Sequence, residues 1–207
     1  MNIRYKLTKQ DLTTYNYTKW VLNEWKETSG NGELCDSGWL HCYNSPLLAI
    51  LLNPIHANIH NPKLFKCEVD GECLTDYGLK EGWTRMRIIE EMELPQLSNI
   101  NKVAFGILCA LEVYKDEKWV TWANNWLENK DRSKESARAV CCYRYAASAN
   151  AANAANAAAA SAYAYAAYAA VFAANATAYA AESTAYGCAN SANINLIKLA
   201  EKAMEIK

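Results

Sequence analysis

Apolar and charged residues alternate strictly along residues 65–69, Phe-Lys-Cys-Glu-Val. Alternation with a period of two predicts a half-buried β-strand. Asp70-Gly71 follows, a dipeptide favoured in tight hairpin turns, so residues 72–74 are predicted to form the returning strand. Residues 85–94 alternate in part and stop at Pro95, and residues 39–43 are a third, aromatic-rich candidate. Together these segments predict a small antiparallel sheet.

Residues 46–52, Pro-Leu-Leu-Ala-Ile-Leu-Leu, are apolar on every side. A run of this kind suits a buried helix that begins after Ser45 as its cap and ends before Asn53-Pro54. We expect this helix to cover one face of the sheet.

The pattern becomes helical in the second half of the chain. All four prolines and most glycines precede Gly106, and neither residue type occurs from Ile107 to Tyr186. Because both are unfavourable inside helices, this predicts mostly helical structure, with helices over residues 101–114 and 117–128. Trp119, Trp122 and Trp126 share one stripe of the second helix and are predicted to be core residues. The predicted fold class is α+β, with a small α+β domain over residues 1–98 and an all-helical, alanine-rich domain over residues 99–207.

The alanine-rich tract carries no charged residue from Tyr145 to Ala181. A long surface helix normally carries charge on its wet face, so this tract is expected to be buried or paired with itself. As one helix it would reach roughly 60–75 Å, so it either folds back near residues 157–161 or pairs across a dimer. A heptad-like stripe is predicted to face the partner helix, and its members are Tyr165, Tyr168, Phe172, Tyr179 and Tyr186.

Charge and composition narrow the classes of partner. A net charge of -1 gives no basic footprint, so nucleic acid is not expected as a partner. Asparagines recur in the alanine tract and would lack partners in lipid, so no membrane association is expected. The first residues lack the apolar core of a secretory signal, which favours the cytoplasm, where scattered cysteines are reduced and buried.

The candidate metal ligands are few. Two histidines four residues apart, together with cysteines nearby, allow a zinc site, but no Cys-x-x-Cys pair is present and prolines flank the histidines. The ligands of such a site would be His56, His60, Cys67 and Cys73. Solvated loop histidines are the favoured interpretation. No nucleophile triad, phosphate-binding glycine loop or dinucleotide fingerprint is legible, so neither a metal nor a cofactor is predicted.

Two stretches of the chain resemble known groups of proteins. Residues 38–47, Gly-Trp-Leu-His-Cys-Tyr-Asn-Ser-Pro-Leu, with residues 65–69 and 87–91, resemble an uncharacterised domain of hypothetical phage and bacterial proteins, which would cover about residues 30–95. Residues 102–147, with Trp-Ala-Asn-Asn-Trp-Leu at 122–127, are similar to alanine-rich bacterial proteins described as immunity proteins.

The same front segment distantly resembles the strand-then-helix element of ADP-ribosyltransferases, in which a glycine and an aromatic run precede a helix beside the nicotinamide pocket. The resemblance implies a catalytic cleft around His41, Tyr43 and Glu91. Leu40 stands where those enzymes place a pocket aromatic residue.

Two functions therefore follow as expectations. The preferred one is a non-enzymatic interaction or inhibitor protein, of the kind that phages and mobile elements carry, whose neutral alanine/tyrosine helices bind a partner protein or form a homo-oligomer. The alternative is an ADP-ribosyltransferase-like enzyme or a nucleotide-sequestering relative.

Overall fold

The computed structural model describes residues 2–140, 149–166, 170–187 and 194–207. The chain divides into two compact units, Met1–Pro95 and Gln96–Lys207, whereas the sequence predicted a boundary after residue 98. The first unit contains an antiparallel sheet and the second is helical, which confirms the predicted α+β class.

The described residues form five strands: β1 (Asn2–Thr8), β2 (Lys26–Glu27), β3 (Leu40–Cys42), β4 (Lys63–Asp76) and β5 (Lys80–Met92). They also form seven α-helices: α1 (Pro46–Leu52), α2 (Asn99–Val113), α3 (Glu117–Leu127), α4 (Lys134–Val140), α5 (Ala149–Ala166), α6 (Ala170–Gly187) and α7 (Leu196–Met204).

The strand pairing of the first unit closes on itself. β1 pairs with β4, β4 with β5, and β5 with both β2 and β3. Tyr43, directly after β3, pairs with Tyr5 of β1, and each backbone N–H donates to the other residue's carbonyl at 2.8 Å. Strands β1, β4, β5 and β3 therefore form a closed ring of pairings, which leaves β2 as a short edge strand.

The hairpin lies later in the chain than the sequence predicted. β4 continues through Asp70-Gly71 as far as Asp76, and the turn falls at Tyr77-Gly78-Leu79. The register shifts between Asp70 and Cys73, and Gly71 has a φ of +84°, so the Asp-Gly pair forms a β-bulge instead of a turn. Glu72 N–H donates to Thr84 Oγ1 at 2.9 Å across this bulge. The predicted turn was wrong because bulges and turns both favour a glycine at positive φ.

Helix α1 matches its predicted bounds. Pro46 occupies the first turn, and the helix buries its leucine-rich face against the first unit, with some of its contacts to β1. The main core comes from one face of the strands. Its members are Trp20, Leu40, Cys42, Phe65, Cys67, Val69, Trp83, Met86 and Ile88.

Polar caps fix the start of two helices in the second unit. The Ser98 side chain accepts from Asn101 N–H at 3.1 Å, and the Asn101 side chain accepts from Ser98 N–H at 3.0 Å, a reciprocal capping box at the start of α2. Asn101 Nδ2 also donates to the Ala203 carbonyl at 2.9 Å, which holds the end of α7 against α2. Asp116 caps α3 by accepting from Trp119 N–H at 3.0 Å.

The tryptophans of the predicted stripe on α3 are core residues, as the sequence predicted. Trp119, Trp122 and Trp126 are all buried, and Trp119 Nε1 donates to the Ala155 carbonyl of α5 at 3.3 Å. Tyr114 meets Trp119 edge to face at a centroid distance of 5.6 Å. The aromatic side chains of α3 thus pack against an alanine-rich helix of the same unit.

The alanine tract forms two helices that pack together, so it is not a single long helix. Helix α5 runs without a break through residues 157–161, so the predicted turn there was wrong; α5 ends at Ala166 and α6 begins at Ala170. Helix α2 packs on both, and a Cβ at its Gly106 would lie 3.3 Å from Thr177 Cα of α6. Small side chains therefore allow these helix backbones to approach closely. No helix among the described residues is long and apolar enough to cross a membrane.

Candidate functional site

A cavity of about 730 Å³ lies in the first unit. Its wall combines β1 and β3 with the loops around residues 14–28, 35–39 and 56–59. The wall is rich in rings, contributed by Tyr15, Trp20, Trp25, Trp39, Tyr43 and His56. Ligand sites commonly have volumes of roughly 300–1,000 Å³ and a few polar groups among apolar and aromatic ones, so this cavity has the size and the lining of such a site.

Lys6 is the buried cation of the wall. It lies in β1 opposite Phe65 of β4, and only 6% of its surface is exposed. Its Nζ donates to the His41 carbonyl at 2.6 Å and lies 4.5 Å from the centre of the Trp20 ring. Burial lowers the pKa of this amine, because the charged form loses its hydration. Lys6 forms no ion pair with any described carboxylate.

Trp20 forms the surface on which Lys6 lies. Its Nε1 donates to Thr14 Oγ1 at 3.0 Å, and its backbone N–H donates to the Leu12 carbonyl at 2.8 Å. Lys26 Nζ lies 5.8 Å from the same ring. The amine nitrogens of two lysines thus lie within about 6 Å of the centre of one indole ring.

His41 is held in one tautomer by the loop that precedes β3. Its Nε2 is hydrogen-bonded to the Leu34 carbonyl, and because a carbonyl can only accept, Nε2 carries the proton. Burial lowers the pKa of His41, so its ring is neutral near pH 7. A neutral ring protonated at Nε2 leaves Nδ1 as a hydrogen-bond acceptor.

His56 lies in the loop after α1 and has two buried ring nitrogens without a partner. Its ring is stacked on Tyr43 at 6.0 Å and 14°. Neither Nδ1 nor Nε2 has a hydrogen-bond partner in the part of the chain that the structure describes. Burial, with Lys80 and His41 as further causes, lowers its pKa to about 4, so the ring is neutral and offers one donor and one acceptor.

Asn53 holds the loop that carries His56. Its Nδ2 donates to the Ile59 carbonyl at 3.0 Å, and its Oδ1 accepts from Ile59 N–H at 3.0 Å. This pair of hydrogen bonds from one side chain closes the loop over residues 53–59. The loop that places His56 on the wall is therefore supported by Asn53.

The carboxylates of the wall are already engaged. Glu27 lies 2.9 Å from Arg85 Nε, and Asp36 accepts from Glu33 N–H at 2.8 Å. The lysines of the same wall are Lys6, Lys26 and Lys80. Lys80 Nζ lies 3.2 Å from Cys35 Sγ. The wall thus carries three lysines and two carboxylates, and Glu27 is paired with Arg85.

The structure brings together two of the three residues proposed for a catalytic cleft. His41 and Tyr43 both line the cavity. Glu91 does not; it lies near the far end of β5 and forms an ion pair with Lys63 at 3.0 Å. The three side chains do not form one site.

The four candidate zinc ligands are not assembled either. His56 lies on the cavity wall, His60 is exposed, Cys67 is in the core, and Cys73 packs against that core from its edge. Within the part of the chain that the structure describes, no three His, Cys, Asp or Glu side chains form a group that could hold a metal.

Of the described tyrosines in the predicted stripe, one packs within the second unit and one is exposed. The Tyr165 ring meets Trp126 edge to face at 6.2 Å, within the second unit. Tyr179 is 53% exposed. Tyr168 lies outside the described residues, as do the side chains of Phe172 and Tyr186. A partner protein or a second copy of the chain stays a prediction.

Sequence reasoning missed Lys6, Trp20 and Trp39. A signal for the first was present, because residues 2–8 alternate polar and apolar side chains as a strand does. That alternation assigns Lys6 to a wet face, whereas Lys6 and its neighbour Leu7 are both buried. Nothing in the local sequence indicates that β1 has no solvent-facing side at this point.

Residues 2–100 match the family model described as a domain of unknown function, DUF7666. The match extends across the first unit and includes every residue that lines the cavity. No curated protein matches the chain, and no solved structure matches it. The resemblances to phage proteins, immunity proteins and ADP-ribosyltransferases stay predictions.

Proposed function

We propose that the first unit is a binding module for a small anionic ligand that carries a flat ring. The observation that carries this proposal is the half-buried imidazole of His56 on the wall of a cavity of about 730 Å³, because both of its ring nitrogens are buried and lack partners among the described residues. A buried polar atom without a hydrogen bond costs roughly 1–3 kcal/mol, and a ligand that bonds to it recovers that free energy.

The anionic character of the ligand follows from the charges of the wall. Lys26 and Lys80 lie on the cavity wall, while Glu27 is paired with Arg85 and Asp36 accepts a backbone N–H. The wall contains aromatic and other apolar side chains, so a charge pair formed there is screened less than one at the surface. A phosphate or carboxylate group complements this wall.

The ring of the ligand follows from the aromatic lining. Trp20, Trp39 and Tyr43 are buried aromatic side chains that line the cavity. Stacking on aromatic rings favours planar groups, whatever substituents those groups carry. Nucleotides combine a planar heterocycle with phosphate, and they are the first ligand class to test. The proposal assigns no catalytic role to His41, Tyr43 and Glu91.

The test compares nucleotides with the matched nucleosides, which lack the phosphate, on the full-length protein. We expect nucleotides to raise the melting temperature and to bind by calorimetry, and we expect nucleosides to bind more weakly. His56→Phe keeps a flat ring but removes both nitrogens, and it should weaken binding about tenfold, corresponding to about 1.4 kcal/mol. His60→Phe is the matched control, since His60 is exposed and lies outside the cavity lining.

The proposal fails if no nucleotide or simple organic phosphate binds, or if His56→Phe binds as the wild type does. A native mass spectrum of the same preparation reports any ligand retained from the expression host. The same spectrum gives the mass of the assembly, and so it tests the predicted homo-oligomer.

A further inference from the structure

Two cations on the same side of β1 have different surroundings. Arg4 and Lys6 are two residues apart in the strand, so their side chains point the same way. Arg4 pairs with Glu81, whose carboxylate also accepts from Trp83 Nε1 at 2.7 Å. Lys6 is more deeply buried than Arg4, and no described carboxylate pairs with it.

The neighbours of Lys6 cannot neutralise an ammonium group. They are the His41 carbonyl, the face of Trp20 and the thiols of Cys42 and Cys67. Burial raises the pKa of the Cys42 thiol well above its usual range, so this sulfur is uncharged. A buried charge without a counter-ion is costly, and a lysine in such surroundings is stabilised as the neutral amine.

We propose that Lys6 is a reactive amine that condenses with an aldehyde or ketone group of a ligand held in the cavity. The inference rests on the proposed function, because the cavity must bind the ligand before its carbonyl meets the amine. It adds a chemical class to that ligand: a small carbonyl compound that carries a flat ring and an acidic group.

The step balances without a further reactant. The lone pair of the neutral amine attacks the carbonyl carbon and forms a carbinolamine. The carbonyl oxygen then leaves as water, taking with it the two hydrogens that the amine nitrogen loses, and a C=N double bond remains. Burial lowers the pKa of Lys6, so at a given pH more of this amine is unprotonated than of an exposed lysine.

The probe is pyridoxal 5′-phosphate, which combines an aldehyde, a flat ring and a phosphate. Pyridoxine 5′-phosphate has the same ring and phosphate but an alcohol in place of the aldehyde, so it reports binding without condensation. The full-length protein is incubated with the aldehyde, the imine is reduced with cyanoborohydride, and the adduct is located by peptide mapping. We expect one adduct per chain, on Lys6.

Variants test whether the adduct needs the Lys6 amine. Lys6→Arg cannot form an imine, so it should lose the adduct. If the larger guanidinium prevents folding, Lys6→Met gives the same loss of adduct with an apolar side chain of similar length. Lys66→Arg is the control, because Lys66 lies on β4 outside the cavity lining, where it pairs with Glu90 at 3.9 Å; the adduct on Lys6 should persist.

Each remaining outcome is decisive. If the alcohol binds but the aldehyde leaves Lys6 unmodified, or modifies exposed lysines equally, the reactive-amine inference is overturned and the binding proposal stands. If neither compound binds and no adduct forms on Lys6, both are overturned. An adduct on Lys6 without binding of pyridoxine 5′-phosphate supports the inference that Lys6 is a reactive amine and contradicts the proposal that the cavity recognises an anionic group.

Discussion

The two units of this protein fill their interiors in different ways. The first encloses rings, a lysine and two histidines around a cavity. The second brings helix backbones together through alanine and glycine and supports them with the tryptophans of α3. Small side chains leave little to rearrange at a helix crossing, whereas large rings attached to a small sheet leave space between them. The comparison teaches that large rings on a small sheet leave room for the proposed ligand site, whereas small side chains bring helix backbones close together.

The largest expected effect tests the aromatic support of the second unit. Trp119→Ala removes a buried ring that packs on Tyr114 and donates to the Ala155 carbonyl, and it should lower the free energy of unfolding by about 3–5 kcal/mol. Urea unfolding followed by the helical circular dichroism signal measures this loss. Tyr179→Ala, at an exposed position of α6, should change stability by less than about 0.5 kcal/mol. Equal effects of the two variants would contradict the assignment of Trp119 to the core.

A smaller effect tests the close approach of the alanine helices. Ala158 is fully buried in α5, and Ala158→Leu should cost about 1–3 kcal/mol because its added methylenes have no space. Asn153→Leu places the same side chain on the exposed side of the same helix and should be nearly neutral. If Ala158→Leu stabilised the protein, the helix interface would contain unfilled volume and the contrast between the units would fail.

The smallest effect concerns His56 and depends on pH. Its pKa is about 4 in the folded protein and near 6.5 in the unfolded chain, so between these values the unfolded chain binds more protons. Protonation of His56 therefore does not affect the free energy of unfolding above about pH 6.5, and it lowers that free energy as the pH falls towards 4. His56→Phe cannot take up this proton, and removing two unpaired nitrogens should add about 1 kcal/mol at pH 7.

Urea midpoints at pH 7 and pH 5, followed by tryptophan fluorescence, measure this difference. The wild type should lose more stability between the two values than His56→Phe does, and His60→Phe should behave as the wild type. If His56→Phe were less stable than the wild type at pH 7, the unpaired nitrogens would have an unrecognised partner.

Much of the fold could be predicted from local pattern. Helix α1 has its predicted bounds because proline and a continuous apolar run define it. Helices α2 and α3 begin at or within two residues of the predicted positions, where Ser98 and Asp116 cap them. The break between α5 and α6 could not be placed, since no glycine or proline interrupts residues 149–186 and alanine favours helix throughout.

The candidate site was less accessible to sequence reasoning. His41, Tyr43 and His56 were singled out, but for chemistries whose other members, Glu91 and His60, lie elsewhere. What joins these residues to Lys6 is the ring of strand pairings. Pairings between distant parts of the chain leave no local signal, and only the three-dimensional fold shows that β1 faces protein at Lys6.

The pairing of Tyr5 with Tyr43 also has a consequence for the order in which the first unit forms during synthesis. β1 leaves the ribosome before β4. Thr8 can pair only after Lys63 has been synthesised, and Asn2 only after Val69 has been. Contacts this distant in sequence form slowly. Until β4 arrives, β1 has one unpaired edge, so chaperone binding and cotranslational aggregation should both depend on how quickly residues 63–76 are translated.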